Sequence, residues 1–500
     1  MTLLVSPQPT TSVYQPRDYQ LAMVEEARAR IRSGYKRILL QLPTGGGKTV
    51  VAAQIIHGAL AKGKRVLFLA HRRELVEQPS EKLDALGVSH GIVMANHWRH
   101  RPLAPCQVAS IQTLANRDLA FPPDLIFIDE AHRARANTYQ TILLRYPAAI
   151  VIGLTATPVR SDGKGLGNLF ETMVQGPSVA DLTARGYLVP TRVFAPNKPD
   201  LRDVGKVGGD YNQRQLGRTM DKPTLTGDIL SHWQRLGENR QTVGFAVSVE
   251  HSIHLRDKFR EAGIAAEHLD GETPTDERAA ILRRLANGET RVLWSVGVLT
   301  EGWDCPSVSC GILARPTMSE GLYLQMAGRF LRPAPGKVDA LLLDHAGCTL
   351  EHGFVDDPRN WELTKDRMRA SGPRIDTSLN AKACPICYSV VRKSVRKCLA
   401  VIDGKVCGYE FHFEDRTPKT IAGELQLTGE ERRMRYMTIP DAGRKTCYLR
   451  WAAEGRERGY KANYASAKYF AVFRESPKTE WMLEASLEAQ AKPGELRIAR

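Results

Sequence analysis

Three strings of residues, met in order along the chain, carry the groups that nucleotide hydrolysis needs. Residues 42–49 read LPTGGGKT. In such a run Thr44, Gly45, Gly46 and Gly47 present backbone N–H groups to phosphate, Lys48 reaches the β- and γ-phosphates, and Thr49 offers a hydroxyl to Mg2+. Residues 129–132 read DEAH. Asp129 suits Mg2+ coordination through water, and Glu130 is placed to orient and deprotonate an attacking water. Residues 325–332 read QMAGRFLR, opening on Gln325. Arg329 and Arg332 stand three apart, so on a helix they share a face and could both point at charge developing on the γ-phosphate. Each string has a plain alternative: a Gly-rich turn, a solvated acidic loop, an exposed basic helix. Their succession in one chain favours a single ATP-hydrolysing site.

The elements around these strings must place them together. Apolar runs at residues 37–43, 65–70, 107–111, 125–129 and 149–157 alternate with amphipathic stretches. A second set follows at 242–248, 290–299, 310–316 and 340–344, after a polar, Gly-rich connection near 198–222. Continuous apolar runs with helical patterns between them predict parallel sheets covered on both faces, so two α/β domains in series. The strand RILLQLP, the glycine loop and the helical VVAAQIIHGALA follow the order in which a helix N-terminus holds phosphate. LIFID delivers Asp129 and Glu130 at a strand end, where ligands bind in such sheets.

A chain of 500 residues exceeds what one core usually serves. With 42% hydrophobic and 25% charged residues it reads as ordinary globular protein, and no apolar run approaches a bilayer-spanning length. The start shows no signal-peptide pattern, so the cytoplasm is the expected compartment and no membrane partner is expected. The net charge of +15 points to a polyanion. Residues 361–500 hold 27 Lys and Arg against 18 Asp and Glu, so the basic end is the C-terminal one. Nine cysteines do not form a secreted framework. Five are scattered among apolar neighbours. Cys384, Cys387, Cys398 and Cys407 cluster, and the CPIC pair is a metal knuckle whose thiolates can share one structural Zn2+. The stretch 448–477 interleaves Tyr460, Tyr464, Tyr469, Phe470 and Phe473 with Arg456, Arg458, Lys461, Lys468 and Arg474. Such spacing serves either base stacking with phosphate contact or the core of a small helical pair.

On these motifs the chain resembles superfamily 2 DEAH-box helicases, and within them the RadD-like bacterial and phage group. Members of the superfamily commonly lack the first phosphate-loop glycine, which is Leu42 here. The resemblance implies two tandem RecA-like domains, at 1–195 and 196–350, a linker at 351–380, a zinc ribbon at 381–413, and a basic, aromatic-rich helical module at 414–500. It assigns Arg17 and Gln20 of RDYQ to the adenine and Asp304 to the vicinity of the nucleotide. Arg72, Arg73, Gln112, Thr113, Ser248 and Thr300 become nucleic-acid backbone contacts. Thr155 and Thr157 of GLTATP link hydrolysis to DNA contact, and His132 couples the two sites. The DHAG, HG and WEL strings at 344–347, 352–353 and 361–363 resemble the RadD-like junction beyond the motor.

The function expected is a nucleic-acid-dependent ATPase that moves along or separates DNA of single-stranded or branched character, using ATP and Mg2+, in repair or recombination as the RadD resemblance implies. Two other readings stand beside it: a double-strand translocase or remodeller that never unwinds, and an ATP-switched adaptor that recruits proteins through its C-terminal module. No nuclease-type carboxylate set lies outside the motor.

Overall fold

The computed structural model describes residues 15–70, 74–94, 97–133, 136–160, 163–196, 199–300, 303–364, 381–402, 404–411, 439–460, 462–473 and 475–490. Residues up to 413 form one compact unit and residues from 414 onward another.

In the first unit, two parallel sheets stand in series. The first holds β1 (Arg37–Gln41), β2 (Val66–Ala70), β3 (Gly91–Val93), β4 (Cys106–Ser110), β5 (Leu125–Ile128), β6 (Ile150–Thr155) and β7 (Thr172–Gln175), in the order β3-β4-β2-β5-β6-β1-β7. The second begins with β8 (Thr191–Phe194). A short antiparallel ribbon follows, β9 (Lys206–Val207) with β10 (Asp210–Tyr211). Then come β11 (Thr242–Phe245), β12 (Ala266–Leu269), β13 (Val292–Ser295), β14 (Cys310–Leu313) and β15 (Ala340–Asp344), giving the order β12-β13-β11-β14-β15-β8. These are two tandem RecA-like domains.

The continuous apolar runs are strands buried on both faces. Leu39, Leu67, Leu69, Ile126 and Ile128 pack with Tyr139 and Phe170 on one side. Ile38, Leu40, Phe68 and Phe127 face the helix Lys48–Leu60 on the other. That second cluster continues through Leu42 and Leu188 to Met326, Phe330 and Leu331, so the two motor domains share buried apolar surface.

Three boundaries differ from the sequence reading. Thr191–Phe194 pairs with β15, so it belongs to the second sheet although it precedes residue 196. The connection near 198–222 is folded: it contains the ribbon and the helix Gln213–Met220. The stretch 353–364 is not a free linker. Arg359 donates to the carbonyls of Val355, Asp357, His352 and Phe354 and pairs with Glu320 at 2.7 Å, and Gly167 N donates to Thr364 O at 2.7 Å. Sequence patterning misses such a strap because single buried ion pairs have no periodicity.

In the second unit, the helices Asp441–Glu457, Tyr464–Phe473 and Thr479–Gln490 close around Tyr448, Trp451, Tyr469, Phe473 and Trp481. Tyr469 and Phe473, offered above as stacking faces, are core; Tyr460 and Phe470 are exposed. Lys468 is paired with Glu454 at 2.8 Å. Lys461 and Arg474 lie outside the described residues. No helix among the described residues is long and apolar enough to cross a membrane.

Gly311, inside β14, lies under the fully buried ring of Phe330, and a Cβ there would overlap the ring. Gly311→Ala should therefore destabilise by about 1–3 kcal/mol through overpacking. A lowered urea midpoint at unchanged slope is the expected result.

Candidate active site

β1 runs into the phosphate loop, and the loop into a helix whose N-cap, Gly47, has φ 87°. Gly45 has φ 85°. Both conformations lie in the region that favours glycine. Gly46 is required for another reason: a Cβ there would stand 2.7 Å from Leu42 Cγ. Leu42, at the position of the first glycine of the general pattern, packs beneath the loop.

The helix Asp18–Arg32 holds this loop from outside. Gln20 Nε2 and Tyr19 Oη both donate to Gly46 O, at 3.1 and 2.8 Å, and Arg17 N donates to Gln20 Oε1 at 2.9 Å. The Arg17 guanidinium lies 4.1 Å from the centroid of Tyr187, itself 5.5 Å from the Tyr19 ring. Tyr19 and Tyr187 were missed by the sequence reading. Tyr19 lies within the RDYQ string, whereas nothing in the sequence around Tyr187 signals a nucleotide-side role.

Asp129 and Glu130 follow β5. Burial, and then the adjacent Glu130 charge, push the Asp129 carboxyl up to about 6, with Lys48 opposing. Glu130 takes φ 46°, a conformation that costs a non-glycine residue on the order of 1–3 kcal/mol and recurs at working sites. Its Oε1 lies 3.9 Å from Lys48 Nζ. Its Oε2 is buried, accepts no hydrogen bond and lies 3.5 Å from His132 Nδ1. A buried carboxylate with one oxygen beside Lys48 and the other accepting no hydrogen bond suits the capture of a water's proton.

His132 is held from both domains. Its Nδ1 lies 3.1 Å from Thr155 Oγ1, and Gln325 Nε2 from the second domain lies 3.0 Å from its Nε2. Thr155 Oγ1 donates to Thr157 O at 2.7 Å and accepts Thr157 N at 3.1 Å. The hydroxyl proton is thus committed, so Nδ1–H donates to Thr155, while Gln325 takes up the other ring nitrogen from the second domain.

The two arginines have different partners. The helix Glu320–Ala327 tightens into a 3-10 turn, Gly328–Phe330, and ends before Arg332, so no helical spacing runs from one arginine to the other. Arg329 is buried and donates to Thr300 O at 2.8 and 3.0 Å and to Trp303 O at 2.8 Å. Arg332 turns toward the phosphate loop: a Cβ on Gly45 would meet its Cγ at 3.5 Å, and its guanidinium pairs with Asp304. Thr44 packs against Gly328 across the same boundary. Of the two arginines expected at the γ-phosphate, Arg332 lies beside the phosphate loop, and Arg329 is engaged with the carbonyls of Thr300 and Trp303.

Among the expected nucleic-acid contacts, Arg72 and Arg73 lie outside the described residues. Gln112 is exposed beside half-buried Thr113, which Ser110 caps at 3.1 Å. Ser248 caps the helix Val249–Glu261 through His251 N at 3.2 Å. Thr300 is buried, so its side chain belongs to the clamped loop rather than to a surface. Thr49, at the start of the helix Lys48–Leu60, is half-buried beside the loop.

Cys384, Cys387, Cys398 and Cys407 bring their Sγ atoms within 4.8 Å of one another, with pairs at 3.7 and 3.5 Å. A tetrahedron with Zn–S bonds of about 2.3 Å has edges of about 3.8 Å, so the donor set fits zinc. The stretch between Cys398 and Cys407 is a hairpin, β18 (Val401–Ile402) with β19 (Lys405–Val406), which explains the long gap. A second pair, β16 (Ala381–Ala383) with β17 (Val390–Arg392), carries the CPIC knuckle. This ribbon is docked on the second motor domain. Ala195 N donates to Tyr388 O at 2.9 Å, and Arg392 pairs with the buried Asp357 at 2.6 Å.

Two family models match the chain: the type III restriction enzyme res subunit over residues 13–160, and the helicase conserved C-terminal domain over residues 221–334. A 51.5 kDa protein of a Lactococcus phage (isolate 7-9) is 31% identical over 397 residues, 79% of this chain and 83% of that protein. The chain belongs to the superfamily 2 helicases. The ATP-dependent helicase named IRC3 in Saccharomyces cerevisiae is 31% identical over 68% of this chain, which spans 53% of that protein. The DNA 3'-5' translocase XPB2 of Sulfurisphaera tokodaii is 26% identical over 63% of this chain and 78% of its own length. A fragment of an HsdR subunit of a type I restriction enzyme from Vibrio vulnificus YJ016 shares the fold, with TM-score 0.54 at 24% identity over 69% of this chain and 67% of the fragment. This helicase is an ATP-hydrolysing enzyme, and ATP is its substrate.

The division between the arginines is testable. Arg332→Ala should lower the turnover number by roughly a thousandfold with ATP affinity changed far less. Arg329→Ala should instead lower stability by about 3 kcal/mol or more, because buried carbonyls lose their donor. Equal stability losses in calorimetry, with equal turnover, would contradict the assignment.

Proposed function

We propose that this helicase is a nucleic-acid-dependent motor that acts on DNA, with ATP hydrolysed in the cleft between residues 15–175 and 191–344. The observation that carries the reading is the hydrogen bond between Gln325 and His132, which joins the second domain to the residue two positions after Glu130. Closure of the cleft and completion of the hydrolytic group are then one event. Lys48 and the loop N–H groups bind the phosphates, and Gln20 and Arg17 flank the nucleotide. Glu130 takes the proton of the attacking water. Arg332 meets the developing γ-phosphate charge, and Asp304 orients Arg332. Thr49 and Asp129 would hold Mg2+, which neutralises phosphate charge when bound. The four cysteines would hold a structural Zn2+; a closed set of four thiolates leaves no position for substrate.

The DNA preference is supported by the basic balance of the chain and by the printed activity of the archaeal relative. A RadD-like role in repair, with single-stranded or branched DNA as substrate and Gln112, Thr113 and Ser248 on its backbone, is the finer part of the proposal. That relative's name also favours a second reading, translocation without strand separation. Turnover titrated with single-stranded DNA, duplex DNA and RNA, beside a strand-separation assay, divides these. Stimulation by single-stranded DNA with strand separation is expected; stimulation by duplex alone without separation selects the second reading. Glu130→Gln should keep ATP bound while abolishing turnover, and Lys48→Ala should lose phosphate binding. Normal turnover in Glu130→Gln would remove that residue from its role. Protein purified without chelator should carry about one zinc per chain. Cys384→Ser should lose it and loosen the ribbon, and metal analysis finding none in the unmodified chain would reject the site.

A further inference from the structure

The second sheet carries an element that the hydrolysis site does not use. β8 runs parallel to β15, so the chain leaves it on the sheet edge from which the loops after β11, β13 and β14 also emerge. That carboxyl edge is where parallel sheets bind ligands. From there the ribbon β9–β10 turns at Gly208 and Gly209, both left-handed, and leads into the helix Gln213–Met220. Asn212 Oδ1 caps this helix, accepting Arg214 N at 3.1 Å and Gln215 N at 3.2 Å. Val204, Leu216 and Met220 close a small core with Val247, which follows β11.

Strand order makes the geometry specific. Between β8, where the element begins, and β11, where it ends, stand β15 and β14, so residues 201–220 lie across the edge. Two contacts fix them. Asp210 accepts Thr317 Oγ1 at 2.8 Å and Met318 N at 2.7 Å, directly before Ser319, which caps the helix bearing Gln325. At the other end, a Cβ on Gly217 would sit 3.6 Å from Ser248, in ordinary contact.

The exposed charged groups of this element are mainly cations, and one apolar side chain is exposed with them. Lys206, Arg214 and Arg218 are exposed and form no ion pair with a described residue. Arg214 and Arg218 are four apart, on one face of the helix. Val207 on the ribbon is 63% exposed. Neighbouring carboxylates are largely engaged: Asp200 with Arg202, Asp221 with His254 at 2.8 Å, and Asp210 as described; Asp203 is exposed, and Glu351 stands near Tyr211.

We propose that residues 201–220 form a nucleic-acid lid. Lys206, Arg214 and Arg218 contact phosphates of a single strand, and Asp210 passes the lid's position to the helix that carries Gln325. The lid rests on the reading of the chain as a nucleic-acid motor. A polyanion fits this element better than a protein because these three exposed cations have no ion-pair partner among the described residues, and Val207 is its one exposed apolar side chain.

The test uses the full chain with Lys206, Arg214 and Arg218 all changed to Ala, and fluorescence anisotropy on a labelled single-stranded DNA across a salt series. Three lost phosphate contacts, at about 0.7 each, should make the slope of log affinity on log salt shallower by about 2 and weaken low-salt binding by at least about tenfold. A charge-conserving set, Lys206→Arg with Arg214→Lys and Arg218→Lys, should keep the slope. An unchanged slope in the alanine set overturns the lid and leaves the surface to a protein partner. Equal loss in the conserving set overturns it too, because shape rather than charge would then matter. Binding reads the lid whether or not DNA stimulates turnover. Absence of stimulation in the unmodified chain counts against the motor reading alone.

Discussion

The hydrogen bond between Gln325 and the His132 imidazole is the constraint on which the site depends. It can form only when the second domain meets the first. Thr155, whose own proton is already given to Thr157 O, holds the ring's other nitrogen. Three residues from three strings of the sequence therefore fix a fourth group, Glu130, whose free oxygen lies 3.5 Å from the same ring. A buried network of this kind is costly when half-satisfied and rigid when complete. That asymmetry suits a switch that must be either open or assembled.

The remaining polar groups around the cleft divide between holding and acting. Arg329, with three donations to two carbonyls, holds Thr300 and Trp303. Arg332 stands beside Gly45 of the phosphate loop, and Lys48 beside Glu130. Beyond the cleft, Arg359 ties the start of the helix bearing Gln325 to the strap at 353–364, and Asp357 ties that strap to the cysteine ribbon through Arg392. The ribbon is thus built onto the second motor domain as part of its packing. Its knuckles and the Gln325 helix are joined by two ion pairs with one largely buried partner each, a mechanical continuity that solvent-exposed pairs would not give.

Much of this was legible in the sequence. Strands with four or more consecutive apolar residues, such as β2, β5 and β15, announced themselves, as did the groups that chemistry fixes at short spacing: Lys48, Glu130, and Cys384 with Cys387. Short strands were not legible. Gly91–Val93 has three residues, and Ala266–Leu269 carries a glutamate and a histidine within it. The different partners of Arg329 and Arg332 were also out of reach, because the helical stretch ends at Phe330, short of Arg332, and the carbonyls that engage Arg329 are brought to it only by the fold. For the C-terminal aromatics, spacing alone left stacking and core equally open; burial puts Tyr469 and Phe473 in the core, while Tyr460 and Phe470 stay exposed.

The central claim is that cleft closure and hydrolysis meet at one contact. It is tested most directly by a double-mutant cycle in DNA-stimulated turnover with His132→Ala, Gln325→Ala and the pair. The account predicts that each single change slows turnover and that the pair is little slower than either, a coupling on the order of 0.5–3 kcal/mol. Additive losses, or full turnover in Gln325→Ala, would contradict it.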